Sequence, residues 1–346
     1  REGMTHGRKF HHDAIIVDGL QINNWSRAVL QELISGGVTA VNATVSVWEG
    51  IEESIRAIGE WNQFADRNSD IVTLARSSQD IRRAKTEGRV AVILGTQNTS
   101  LYGDDYRLVR VFAQLGVKIV QLTYNNQNSV GGSCYEPTDS GLTRFGVNVV
   151  HEMNRAGVLI DLSHVGDRTS IDAAEASASP VAITHSNPDW FVSSPRNKPD
   201  AVIEAVTSRG GVIGACLYPN VVGGAHAQLS DFCQMVYRLA EQVGIGHVGL
   251  GSDCTRNWGD EFVEWLRSGR WRPPSQETAT WPAWPHWFTG PEDFPRLTEG
   301  LLAVGFTETE ALGVLGENWL RLFDEVFPEG GSRDGGIVHD RTREPA

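Results

Sequence analysis

The sequence predicts a single (β/α)8 barrel. Three observations predict it: eight short apolar runs, a helical stretch after almost every run, and no glycine-rich phosphate loop behind the first run. The missing loop sets aside the main rival, a doubly wound open sheet that binds a nucleotide. The runs cover residues 14–18, 40–45, 90–95, 117–122, 158–162, 180–184, 211–215 and 247–251. Each is at most six residues long and rich in Val, Ile or Leu, as strands buried on both faces are.

The helices are read from the polar and apolar spacing between runs. One over 25–35 follows the first strand, and two, over 51–67 and 77–87, follow the second. Helices over 105–115, 146–156, 167–176, 199–208 and 229–243 fill the later gaps. Gly36, Gly88, Gly116 and Gly157 stand just ahead of a strand, where helix C-caps are expected. Residues 255–298 break the rhythm. They hold Trp258, Trp265, Trp271, Trp281, Trp284 and Trp287, with Pro273, Pro274, Pro282, Pro285, Pro291 and Pro295. This is an insertion after the eighth strand, expected to be a packed flap or subunit interface, or else to meet substrate directly. A last helix is predicted over 307–327, with Thr307 and Glu310 spaced as a capping box. Residues 1–346 thus read as one domain with a core over 14–327 and a frayed tail over 328–346.

Composition narrows the function. A net charge of −13 and no Lys/Arg run argue against a nucleic-acid partner, which needs a clustered basic surface. No apolar run is long enough for a membrane-spanning helix. Cys134, Cys216, Cys233 and Cys254 form no CxxC pair and are too sparse for a disulfide scaffold, so a reducing cytoplasm is expected. The first residues lack a signal-peptide core, and the chain opens on Arg1, so Met4 or an upstream residue is the expected start.

A barrel of this kind carries its site at the C-terminal ends of the strands. There the sequence places Leu20 to Asn24, Gln97 and Asn98, Tyr124 to Asn126, His164, His185, Tyr218 and Asn220, and Asp253 with Cys254. His164 and His185 close adjacent strands. Two readings fit them: ordinary hydrogen-bonded polar residues, or two imidazoles sharing one small cation. Gln97, Asp253 or Cys254 would then supply a third donor. Arg196, in the loop after the sixth strand, reads as a carboxylate clamp or a structural arginine. Asp253 reads as a proton shuttle or a helix cap. His11 and His12 precede the first strand and belong at the opposite, stability face.

These residues sit inside longer stretches, among them Gln121-Leu-Thr-Tyr-Asn-Asn-Gln-Asn128, Gly141-Leu-Thr-Arg-Phe-Gly146, Ile160-Asp-Leu-Ser-His-Val165, Arg196-Asn-Lys-Pro-Asp200 and Val248-Gly-Leu-Gly-Ser-Asp253. In this order and spacing the chain resembles the membrane, or renal, dipeptidase family (peptidase family M19) from about residue 14 to residue 327. The resemblance implies a homodimeric barrel that hydrolyses dipeptides with two zinc ions joined by a carboxylate. It implies His164 and His185 as ligands of the second metal. It implies Arg196 on the substrate carboxylate and Asp253 near the substrate's amino group and scissile bond. It sets Tyr124 where some members bind substrate through a histidine.

The departures are concerted. The family reads Asp-Gly-His-Asn-Asp after the first strand, and this chain reads Asp18-Gly19-Leu20-Gln21-Ile22. Leu20 and Ile22 ligate nothing, and the bridging glutamate is replaced by Gln97, a neutral amide. One metal, zinc, is therefore expected rather than two, with Arg196, Tyr124, Asn125, Asn24 and Gln97 binding substrate. The reading is a dipeptidase-like hydrolase of a dipeptide or other small amide. The alternatives are a barrel enzyme of changed, metal-free chemistry in a biosynthetic pathway, or a non-catalytic relative that binds a small ligand.

Overall fold

A computed structural model of the chain describes residues 6–269 and 279–328. Nine parallel strands run in chain order as β1 (Val17–Gln21), β2 (Ala40–Ser46), β3 (Val72–Leu74), β4 (Val90–Thr96), β5 (Val117–Gln121), β6 (Leu159–Asp161), β7 (Ala182–Ile183), β8 (Val212–Cys216) and β9 (Val248–Gly251). Pairing runs β2-β1-β9-β8-β7-β6-β5-β4, and β2 pairs β4 along its length, so eight strands close a (β/α)8 barrel. The ninth, β3, is an addition that the apolar runs did not reveal. It takes the edge of β4 at Val90 to Val92, and β5 takes the same edge from Leu94 to Thr96. β3 is therefore a short wedge between neighbours at the N-terminal rim.

The strands are apolar on both faces because both faces are covered. Outward residues such as Val41, Val92, Val120 and Ile213 join the large core under the helices. Inward residues Val17, Ala40, Ala91, Ile93, Ile119, Leu159, Ala182 and Val212 fill the barrel. They are plugged from below by the final helix, Asn318–Val326, whose Trp319, Leu320, Leu322 and Phe323 pack on them. Trp319 is fully buried and donates its indole N–H to the Leu250 carbonyl at 3.0 Å. It fits because β9 offers glycine there: a Cβ on Gly249 would stand 2.5 Å from the indole nitrogen.

Helix starts follow side-chain capping. Ser26, Ser77, Thr143 and Thr307 each accept a backbone N–H from three residues on, and Glu310 completes the capping box at Thr307. Gly88 and Gly157 are left-handed C-caps, Gly36 caps the helix Arg27–Ser35 in right-handed conformation with Gly37 following at positive φ, and Gly116, also at positive φ, follows the C-cap Leu115. The predicted last helix is two helices, Glu308–Leu312 and Asn318–Val326, joined by a π turn over Gly313–Glu317. The predicted insertion contains the helix Asp260–Ser268 and the first residues of another, Phe294–Val304. A helix missed in the sequence, His6–Asp13, leads into β1. Its His11 is buried at the opposite rim from the site and bonds Thr298 Oγ1 and the Gly36 carbonyl, each at 2.6 Å.

The aromatic residues of the insertion are engaged within the chain. Trp258 stacks on Phe262 at 3.7 Å, Trp284 meets Tyr218 edge-on, and Trp287 is buried and donates to the Ala227 carbonyl. Trp271, Pro273, Pro274 and all of the tail beyond Pro328 lie outside the described residues.

Candidate active site

The C-terminal ends of the strands open into a cavity of about 330 Å³. Ten of the residues singled out in the sequence line it together: Gln97, Tyr124, Asn125, His164, Arg196 and Asp253, and also Ile22, Asn126, Tyr218 and Asn220. Asn24 does not. It is exposed, its side-chain amide donates to the Asn257 carbonyl, and its backbone N–H bonds Arg256, which carries it away along the loop after β9. Cys254 borders a smaller neighbouring cavity instead. His185 is fully buried and lies behind His164, with ring centroids 5.2 Å apart.

The two histidines are oriented by their own strand ends. Thr184 Oγ1 donates to Asp161 Oδ2 at 2.6 Å, so it can only accept from His185 Nδ1, 2.8 Å away. His185 therefore carries its proton on Nδ1 and its lone pair on Nε2, which is buried without a partner. His164 Nδ1 lies 2.7 Å from Asn125 Oδ1, an acceptor, so His164 likewise keeps its lone pair on Nε2. Tyr124 stacks on the His164 ring at 4.3 Å and holds it in plane. Burial, then the charge of Arg196, pushes both imidazoles well below their ordinary pKa and keeps them neutral at pH 7.

Arg196 is buried and anchored by three carbonyl or hydroxyl acceptors. Nη1 donates to the Ser163 carbonyl at 2.5 Å and to Ser186 Oγ at 2.9 Å, and Nη2 donates to the His185 carbonyl at 2.9 Å. The guanidinium has five N–H groups, so two remain for a ligand in the cavity. Lys198 stands beside it, fully buried, its Nζ donating to the Val165 carbonyl at 2.9 Å. Gln97 donates to Thr44 Oγ1 at 3.0 Å and keeps its amide oxygen.

Asp253 and Asn125 both have left-handed backbone, at φ 59° and 56°. Non-glycine residues rarely sit there, although Asn and Asp tolerate it best. Desolvation pushes the Asp253 carboxyl up to about 7, against the opposing pull of Arg196. Behind it, Asp18 accepts from the backbone and hydroxyl of Ser252 and from Gln21 Nε2, and its burial pushes it up to about 6. This network holds the strand end that presents Asp253.

The departures near β1 are structural as well. Leu20 is buried in the barrel wall, and Ile22 lines the cavity among Val47, Tyr124 and Leu266. Among the described residues, no three His, Cys, Asp or Glu side chains gather as a metal ligand set. The lining also includes Tyr135, Val263, Leu266, Arg267 and Trp281, which the sequence did not single out as site residues. The helix Asp260–Ser268 brings three of them. Their signal was the apolar pair Val263 and Leu266 at helical spacing inside an irregular-looking segment.

The fold is thus a parallel (β/α)8 barrel that brings two strand-end histidines and a buried arginine together beside a cavity. Residues 18–262 match the family Membrane dipeptidase (Peptidase family M19), and the chain belongs to that family. It is 37% identical to an amidohydrolase from Pseudomonas aeruginosa, with a TM-score of 0.89 over 93% of this chain and 99% of that one. A metallo peptidase from Rhodobacter sphaeroides has the same fold at 19% identity, with a TM-score of 0.75 over 91% of this chain and all of that one (100%). Dipeptidase verJ from Clonostachys rogersoniana is 27% identical over 81% of this chain and 66% of its own length. The chain spans 46–66% of the lengths of the curated relatives it matches first.

Proposed function

We propose that the protein hydrolyses a dipeptide or another small amide with one metal ion, zinc, held by His164 and His185. The observation that carries the reading is the pair of oriented imidazoles. Each fixes its Nδ1 proton on a neighbour and offers a lone pair at Nε2, as metal-binding histidines do. Their ring centroids are 5.2 Å apart, so the two imidazoles are close enough that they could hold one small cation between them. The unpartnered Nε2 of His185 is a buried polar atom that such an ion would satisfy. The donors do not suit a second ion, because Leu20 and Ile22 offer none and Gln97 is neutral. Gln97 lines the same cavity and could offer its amide oxygen as a third ligand, which leaves Asp253 to handle the proton.

When bound, zinc polarises a carbonyl and brings the pKa of its water to about 7. The chain's own residues do the rest. Arg196 takes the substrate carboxylate on its two remaining N–H groups. Tyr124, Asn125 and Gln97 position the amide, and Asp253, with a carboxyl near 7, accepts a proton and returns it to the leaving amine. The family and the Pseudomonas amidohydrolase support this class of reaction. The reading carries with it a homodimer and a cytoplasmic setting, which the four free thiols favour. Among the described residues no helix is long and apolar enough to cross a membrane.

The test is metal content of gently purified protein by elemental mass spectrometry, with hydrolysis of dipeptides and N-acyl amino acids alongside. About one equivalent of zinc is expected, and His164→Ala should lose both metal and turnover. Two equivalents would overturn the one-ion site. The alternative, metal-free chemistry or ligand binding alone, draws on the lack of a three-residue ligand set. It predicts no metal even after reconstitution, and ligand binding that survives His164→Ala.

A further inference from the structure

The cavity has two unlike walls. One is polar, with Arg196, His164, Asn125 and Asp253. The other is hydrocarbon, with Ile22, Tyr124, Val263, Leu266 and Trp281. Four of its residues, Ile22, Tyr124, Leu266 and Trp281, belong to one apolar cluster, continued outward by Val47, Trp48, Phe262 and Trp265. We propose that this wall is a binding subsite for an apolar group, so that the protein takes organic anions bearing a hydrocarbon or aromatic substituent. This rests on the assignment of Arg196 as the carboxylate anchor.

Three observations carry it. First, the wall is preformed. Val263 and Leu266, 2% and 6% exposed, stand one turn apart on the helix Asp260–Ser268, which is tied down on either side. Trp258 Nε1 donates to the Ile22 carbonyl at 2.8 Å, and Trp48 Nε1 donates to the Trp265 carbonyl at 3.1 Å. Gly269, at φ 61°, packs so closely that a Cβ would stand 2.3 Å from Asn126 Nδ2. Second, Ile22 belongs to this wall while Leu20 is sealed in the barrel, so Ile22 is the residue after β1 that meets a ligand. Third, the Arg196 guanidinium lines the cavity and keeps two N–H groups beyond its carbonyl and hydroxyl acceptors, which favours an anion. Water against an apolar wall lacks polar partners, and a ligand's apolar group displaces it favourably.

The test uses simple carboxylic acids, which have no amide to cleave, titrated calorimetrically into the full-length protein with and without a chelator. The probes are acetate, butanoate, hexanoate and 3-phenylpropanoate, with 3-phenylpropanol as the uncharged control. Affinity should rise about fourfold for each methylene buried. It should fall at least tenfold when the alcohol replaces the acid. Ile22→Asn and Leu266→Ala should each flatten the rise while leaving acetate binding within about twofold. A flat series in the wild-type protein overturns the subsite, as does an unchanged slope in both variants or no binding of any probe. The wild-type series needs no variant to fold. Because no probe turns over, a protein without hydrolase activity can pass this test and an active hydrolase can fail it.

Discussion

Asp253 carries a buried carboxyl on left-handed backbone, and each of those features costs stability. Its folded pKa of about 7 lies above the ordinary value, so the folded state binds the proton more tightly than the unfolded chain does. The stabilisation from that proton is fully present below about pH 4 and is lost as pH rises through 7. Asp253→Asn keeps a side chain that tolerates left-handed φ and removes the charge. It should match the wild type in thermal melting at pH 4 and exceed it at pH 8, by a few kcal/mol on the order set by a shift of this size. Amide hydrolysis should fall to background. A variant that melts lower than the wild type at pH 8 would show that the carboxylate stabilises the fold. His185 makes a similar point without a charge: its Nε2 is buried without a hydrogen-bond partner, which also costs stability.

Among the elements, those that touch a neighbour on every side were the easiest to read. Strand β4 opens on an unbroken Val-Ala-Val-Ile-Leu and β8 is Val-Ile-Gly-Ala-Cys because both are buried along their whole length; β5 was legible from Val117, Ile119 and Val120 although Lys118 and Gln121 interrupt it. The capping box at Thr307 was legible because both partners lie within four residues. Thr307→Ala should lower stability by about 1 kcal/mol in denaturant melts without changing ligand binding, since that helix start lies far from the cavity. β3 escaped notice because three residues give no period. The π turn escaped because its cause is distant in sequence: a Cβ on Gly316 would stand 2.2 Å from the Ile15 carbonyl, and the helix shifts where it meets the start of β1. The site divides the same way. Gln97, Tyr124, Asn125, His164, Arg196 and Asp253 follow from the strand-end rule. The wall of Val263, Leu266 and Trp281 comes from a segment whose packing, rather than its pattern, brings it over the barrel. Asn24 was drawn in by its nearness to β1, and one backbone bond to Arg256 takes it out.

At the scale of the whole molecule, the two ends of the barrel are built differently. The upper end is open and polar. The lower end is closed by the helix Asn318–Val326, whose Trp319 is lodged against Gly19, Gly214 and Gly249 from three strands. Trp319→Ala should cost about 3–5 kcal/mol, read as a fall in the unfolding midpoint, because glycine neighbours have no side chains with which to fill the void. The plug also sets an order of events on the ribosome. All nine described strands emerge before residue 319, so the apolar floor that Trp319, Leu320, Leu322 and Phe323 add to the lumen arrives after them. Synthesis therefore delivers every strand before the side chains that floor the barrel, and the closing step waits for the helix Asn318–Val326. A nascent protein released at residue 306 would hold every residue of the cavity and still lack the core that keeps them in register.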